Sequence, residues 1–261
     1  MKILLSFDIE EFDLPREHGV DISLAEGMKI SVEGTLRVLD CLDANDVKAT
    51  FFCTGNFAQN APDIIRRMLA EGHEVACHGV DHSSPKPTDV VESKRIVEAI
   101  SGVKSLGYRE PRMSEVSNEA IRAAGFNYNS SLNPTFIPGR YMHFDTPRTC
   151  FVKDGVMQVP ASVTPWLRLP LFWLALHTFP MSLYKCLVFR TLRHDGYFTT
   201  YYHPWEFVEL DKYAQYKVPF YIRRNSGEKL LKRMDSLIKY LKGKGAKFST
   251  YSHFLESYPN P

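Results

Sequence analysis

The chain has 261 residues, 44% of them hydrophobic and 24% charged, the composition of a soluble globular protein with apolar content for a sizeable core. Thirty-two basic against 30 acidic residues leave a formal charge of +2. That balance gives no general attraction to nucleic acid and excludes a charge-driven polyanion binder. The length fits one domain over 1–261 better than two small ones.

The opening Met-Lys-Ile-Leu-Leu-Ser-Phe-Asp has too short an apolar run, met at once by acids, for a secretory leader, so the chain is expected in the cytosol. Residues 2–7 read as a buried strand ending in acids. A helix is expected over 30–44 from the spacing of Val32, Leu36, Leu39 and Leu42, then a strand over 49–54 closed by Gly55. Residues 61–71 form the next helix, with Pro62 at its start and Gly72 past its end. Residues 73–77 are a third strand, which His73 opens as a polar edge residue. A helix over 88–103, capped by Thr88, a strand over 107–109, a helix over 117–124 and a strand over 126–129 follow. The alternation predicts an α/β parallel sheet or barrel with helices outside, and its chemistry at the C-terminal ends of the strands.

The pattern changes over 134–192, an aromatic-rich insertion carrying Trp166, Phe172, Trp173, Phe179 and Tyr184. It reads as a core-packed or helical layer, or as a wall for an apolar-tailed substrate and a transient membrane-surface contact. Residues 197–203 form a strand, 229–242 an amphipathic helix and 247–250 a closing strand. Five cysteines without a C-x-x-C pair read as small buried apolar residues, with only a remote metal role for Cys77.

Two features carry chemistry. Asp8 and Glu10 share one face of a strand by the period of two. Two carboxylates there must bind a cation, share a proton or sit in a solvated acidic turn with Glu11 and Asp13. His78 and His82 straddle Gly79 and face one point where the turn is helical. Two imidazoles, one carboxylate and an open position make a hydrolytic metal site, and the remaining carboxylate is free to act as a base. Strand parity favours Glu10 over Glu11 as ligand. Asp81 reads as an acceptor for an imidazole N–H or as solvated. His18, His143, His177, His194 and His253 read as structural or exposed.

The ordered segments Ser-Phe-Asp-Ile-Glu, Ala-Thr-Phe-Phe-Cys-Thr-Gly, Gly-His-Glu-Val-Ala-Cys-His-Gly-Val-Asp-His, Gly-Tyr-Arg-Glu-Pro-Arg and Tyr-Tyr-His-Pro-Trp-Glu resemble the polysaccharide deacetylase (NodB-homology, carbohydrate esterase family 4) family. The likeness is strongest to the branch with Asp-x-Glu first and His-Pro-Trp-Glu last, and it covers roughly residues 3 to 208. It implies a distorted (β/α) barrel of about seven strands and metal-dependent removal of an N- or O-acetyl group from a sugar. By position it implies Asp8 as base, Glu10, His78 and His82 as metal ligands, Arg109 as the residue that holds and tunes the base, and His203 as general acid.

Three positions depart from the family pattern. Asn129 stands where many members have an aspartate that orients the late histidine, and an amide cannot stabilise an imidazolium as a charge does. The first motif lacks adjacent aspartates. Arg112 follows the proline, where it either binds an anionic sugar or phosphate or pairs with Glu110 or Glu115. Trp205 either packs in the core or stacks on a sugar.

The expectation is a hydrolase acting on an acetamido sugar, nucleotide-linked or lipid-linked, in surface-glycan biosynthesis. Its divalent metal is zinc, with iron, cobalt or nickel as substitutes, and it has no nucleic-acid partner. The rivals are a non-sugar amidohydrolase of the same fold, acting on a cyclic amide or formyl group, and a catalytically inactive carbohydrate-binding module.

Overall fold

The structure, a computed structural model, describes residues 1–137, 141–142 and 144–258; His143 lies outside them. The strands are β1 (Lys2–Ile9), β2 (Thr50–Cys53), β3 (Glu74–Cys77), β4 (Gly107–Tyr108), β5 (Tyr128–Asn129), β6 (Phe136–Ile137), β7 (Tyr141–Met142), β8 (Phe151–Lys153), β9 (Val156–Gln158), β10 (Tyr197–Tyr202) and β11 (Lys247–Phe248). The helices are α1 (Leu14–Glu17), α2 (Leu24–Ala44), α3 (Gly55–Asn60), α4 (Pro62–Ala70), α5 (Asp89–Ser101), α6 (Asn118–Ala123), α7 (Trp173–Thr178), α8 (Met181–Asp195), α9 (Phe220–Arg223), α10 (Glu228–Gly243) and α11 (Tyr251–Glu256).

The main sheet runs β10-β1-β2-β3-β4-β5-β9-β8, with β11 also pairing the start of β1. From β10 to β9 the neighbours are all parallel, and β8 turns back antiparallel. The sheet curls into a half-barrel with helices, as the distorted-barrel expectation requires. Ile3, Leu5, Phe7 and Ile9 of β1 enter the large core shared with the helices. Leu4 belongs to a separate cluster with Phe52, Ala76, Tyr128 and Tyr251. Period two therefore turns Ser6 and Asp8 to the Leu4 side.

Three elements correct the sequence reading. Helix α2 begins at Leu24, six residues before the expected start; its N-cap Ser23 accepts from Glu26 N at 3.2 Å. The Ser-x-x-Glu box was a legible signal. Strands β8 and β9 form a hairpin around Asp154 and Gly155, both at positive φ. The Asp-Gly pair specifies that turn, so the 134–192 stretch supplies two strands of the main sheet. His73 is buried rather than a polar edge: its Nδ1 accepts from Ala49 N at 3.2 Å.

Burial first, then the positive Lys48, lower the His73 pKa from its ordinary 6.5 to about 4. The unfolded chain takes this proton near pH 6.5 and the folded chain resists it to about pH 4. The stability that His73 contributes is therefore complete above pH 6.5 and lost as pH falls to about 4. Urea midpoints measured across that window should decline, and decline less in His73→Phe.

Candidate metal and catalytic site

The C-terminal ends of β1, β2, β3, β4 and β10 lie side by side, and each hands the chain to a loop carrying one part of the site. The backbone ladder continues past the strands: Thr54 N reaches Ile9 O, His78 N reaches Cys53 O and Arg109 N reaches Cys77 O, all at 2.8–2.9 Å. These bonds fix where Glu10, His78 and Arg109 begin.

Glu10, His78 and His82 are buried, with one ligand-capable atom from each lying within 4.8 Å of the others. Glu10 Oε2 is 3.0 Å from His82 Nε2 and 3.5 Å from His78 Nε2. The other ring nitrogens are occupied. His78 Nδ1 lies 2.8 Å from Arg109 O, and His82 Nδ1 lies 3.0 Å from Asp13 Oδ2. A carbonyl and a carboxylate only accept, so the neutral form of each ring places its N–H on Nδ1 and leaves Nε2 as the lone pair for which a cation and a proton compete. Among the described residues Glu10 Oε2 has no hydrogen-bond donor. Three electron-rich atoms thus converge in a buried place, and this donor set fits a divalent cation. The histidines meet on an irregular loop, not on the helical turn expected; Gly79 at φ +70° bends the chain between them.

The acidic residues after Glu10 are not a solvated turn. Glu11 is buried and accepts from Thr54 Oγ1 at 2.9 Å, Asn56 Nδ2 at 3.0 Å and His82 N at 3.3 Å. It ties the His78–His82 loop to α3 and leaves Glu10 as the carboxylate in the cluster. Asp13, also buried, is the imidazole acceptor. Asp81 instead accepts from Ser83 N at 2.8 Å. Asp13 was missed because its partner is 69 residues away.

Asp8 accepts from the guanidinium of Arg109. Arg109 is 1% exposed. Its remaining N–H groups reach Ser6 Oγ at 3.1 Å, Ser130 O at 3.1 Å, Ser130 Oγ at 2.9 Å and Tyr251 Oη at 3.2 Å. Its plane lies 4.0 Å over the Phe52 ring. All three guanidinium nitrogens are engaged, as burial of a charge demands.

His203, after β10, does not meet Asn129. Asn129 instead bonds Gln158 at 3.1 Å and Ser131. The partner of His203 comes from its own motif: Glu206 Oε1 is 2.7 Å from both His203 N and Nδ1. A carboxylate, not an amide, orients the ring. Burial lowers the His203 pKa, but the charges of Glu10, Glu206 and Asp8 outweigh it and raise it to about 8. The spacing of Glu206 three residues on could have revealed this. The motif is positioned by α2, where a Cβ on Gly34 would lie 1.9 Å from Pro204 O.

Trp205 is buried and stacked on His203 at 5.1 Å, and its indole N–H donates to Glu10 Oε1 at 3.1 Å. It braces the cluster rather than offering a face to a sugar. Arg112 pairs with Glu17 at 2.9 Å and Asp13 at 3.4 Å, not with Glu110 or Glu115. It and Met113 hold positive φ, a strained pair at the rim. Arg112, Asn129, Trp173 and Tyr201 line a cleft of about 680 Å³, which adjoins the site because Trp173 and Tyr201 pack on His203 at 5.5 and 5.9 Å.

Residues 22–129 match the family profile described as polysaccharide deacetylase. The chain is 56% identical over 45 residues to a chitooligosaccharide deacetylase of Bradyrhizobium, 17% of this chain and 20% of that one. It is 26% identical over 157 residues to a peptidoglycan deacetylase of Helicobacter pylori, 56% of this chain and 50% of that one. The matches span from a fifth to a half of these relatives. Among solved structures, a putative polysaccharide deacetylase from Mycobacterium smegmatis superposes with a TM-score of 0.66 at 18% identity, over 98% of this chain and 88% of that one.

Proposed function

We propose that the chain, whose residues 22–129 match the polysaccharide deacetylase profile, is a member of that family (NodB-homology, carbohydrate esterase family 4) and removes an acetyl group from an acetamido sugar with the help of a divalent cation held by Glu10, His78 and His82. The observation that carries this reading is the convergence of Glu10 Oε2, His78 Nε2 and His82 Nε2 in a buried place, with no donor for the carboxylate oxygen among the described residues. When bound, the cation supplies Lewis-acid polarisation of the acetyl carbonyl and a lowered pKa for water. Two imidazoles and a carboxylate suit zinc first, with iron, cobalt or nickel as substitutes.

The protein's own groups divide the proton work. Asp8, held by Arg109, takes the proton of the attacking water. His203 delivers a proton to the departing amine; in the metal-free chain the charges of Glu10, Glu206 and Asp8 outweigh burial and raise its pKa to about 8. The aromatic wall of Trp173 and Tyr201 excludes water beside it. The neutral amides of Asn129 and Gln158 on the cleft side suit a polyol better than a highly charged ligand. A lipid-linked precursor is the finer reading. It is supported by Trp166 and Leu167, which are 81% and 67% exposed on the loop before the cleft wall; a nucleotide-linked sugar is the alternative.

The test is acetate release from acetylated chitooligosaccharides, peptidoglycan fragments, and lipid- and nucleotide-linked acetamido sugars, with and without chelator. Chelator should abolish release. Asp8→Asn should lower kcat by about 10²–10⁴-fold with metal content unchanged. Turnover of a cyclic amide but of no acetylated sugar would point to the amidohydrolase reading. Metal binding without any turnover would point to a binding module.

A further inference from the structure

The sequence reads His177 as structural or exposed. It is wholly buried on α7, and its Nε2 lies 2.8 Å from Glu206 Oε2. Its Nδ1 has no partner among the described residues. With no acceptor at Nδ1, the ring places its N–H on Nε2 and donates it to Glu206. Glu206 is 0% exposed. One of its oxygens serves His203 and the other serves His177. The backbone behind His177 is clamped: Asn225 donates to His177 O, while Arg233 donates to Leu176 O at 2.7 Å and to Phe179 O. Trp173, one turn earlier on α7, packs on both His177 and His203.

A buried carboxylate beside an imidazole has two places for the shared proton. In a low dielectric the neutral pair, acid plus neutral ring, competes with the charged pair. A second donor to the carboxylate favours the charged pair. We propose that His177 is a positioning residue that keeps Glu206 anionic, so that the proton of the Glu206–His203 pair stays on His203. This deepens, and rests on, the reading of His203 as the acid. Burial pushes the Glu206 carboxyl up; the bond from His177, then that from His203, bring it below its ordinary value. The charged groups facing His203 are Glu206 on its own turn and Glu10 and Asp8 at the end of β1; its ring also packs against Tyr201, Trp173 and Trp205.

The test is ¹⁵N NMR of histidine-labelled, full-length protein at pH 7, with His203→Asn and His177→Phe used to assign the two rings. In the unaltered protein His177 should show an N–H at Nε2 and a bare Nδ1, and His203 should be doubly protonated. In His177→Phe and His177→Met, His203 should lose its second proton at the same pH. In His177→Gln, whose amide can still donate, it should keep it. Glu206→Gln should also deprotonate His203, by removing the charge altogether. On acetylated chitotriose, kcat should fall by about 10²-fold in the Phe and Met variants with KM little changed, and Gln should restore most of it.

A His203 that stays doubly protonated in a folded Phe or Met variant overturns the proposal. So does the opposite tautomer of His177 in the unaltered protein, a result that needs no variant. Full turnover by His203→Asn would sink the acid assignment while leaving the NMR outcome to stand or fall alone.

Discussion

His82→Ala should be isolated without bound metal and without turnover, the two lost together. His82 supplies one of the three ligand atoms that converge among the described residues, and its Nε2 is the one 3.0 Å from Glu10 Oε2. Removing a residue that merely orients a ligand usually costs 10–100-fold in metal affinity or activity; Asp13→Ala, which frees His82 Nδ1, should fall in that range. Loss of the ligand itself should exceed it. Metal content by elemental analysis and acetate release measured on the same preparation check this. Activity that survives in metal-free His82→Ala would refute the assignment of the site.

The same residue gives metal binding a pH dependence. In the metal-free chain burial disfavours a charge on His82, but Glu10 and Asp13 overcome it and raise its pKa well above the ordinary value. Proton and cation then compete for one lone pair. Affinity should weaken as pH falls, and binding at neutral pH should release a proton into unbuffered solution.

The second large effect is on stability. Arg109→Met should destabilise the fold by about 3–5 kcal/mol, because it leaves Asp8 buried and uncompensated. For a chain of this size that is a fall in Tm of roughly 6–20 °C. The packing of the lost side chain over Phe52 is partly replaced by methionine, so most of the loss should come from the orphaned charge. The double variant Asp8→Asn/Arg109→Met should therefore be more stable than Arg109→Met alone. Calorimetry on both decides it. Equal midpoints for the single and double variants would mean that the ion pair is not what the site rests on.

The parts of the site legible in the sequence were those governed by local rules. Parity along a strand paired Asp8 with Glu10, and topology placed His78, Arg109 and His203 at strand ends. The parts that were not legible depend on partners far away in the chain. Asp13 looked solvated because nothing near it in sequence is a partner; it faces His82. The family pattern points to Asn129 as the neighbour of His203, while the carboxylate that meets the ring is Glu206, three residues on, in the 3-10 turn Pro204–Phe207. His177 carries no motif, and only the packing of α7 brings it to Glu206. Two-residue strands such as β4 and β5 are too short to show a period, so their places came from alternation alone. The early start of α2 and the β8–β9 hairpin had signals in Ser23–Glu26 and Asp154–Gly155 that the apolar spacing overshadowed.

Strand β1 is flanked by β2 on one side and by β10 on the other, with register partners as remote as Lys2 and Tyr197. The candidate site is thus a clasp between the beginning and the late part of the polypeptide, fastened only when nearly all the intervening chain has found its place. Such long-range pairing makes for slow folding. A cation gripped at this seam would add its binding free energy to the cohesion of the entire fold, so chelation should lower the melting temperature of the whole molecule rather than loosen one loop.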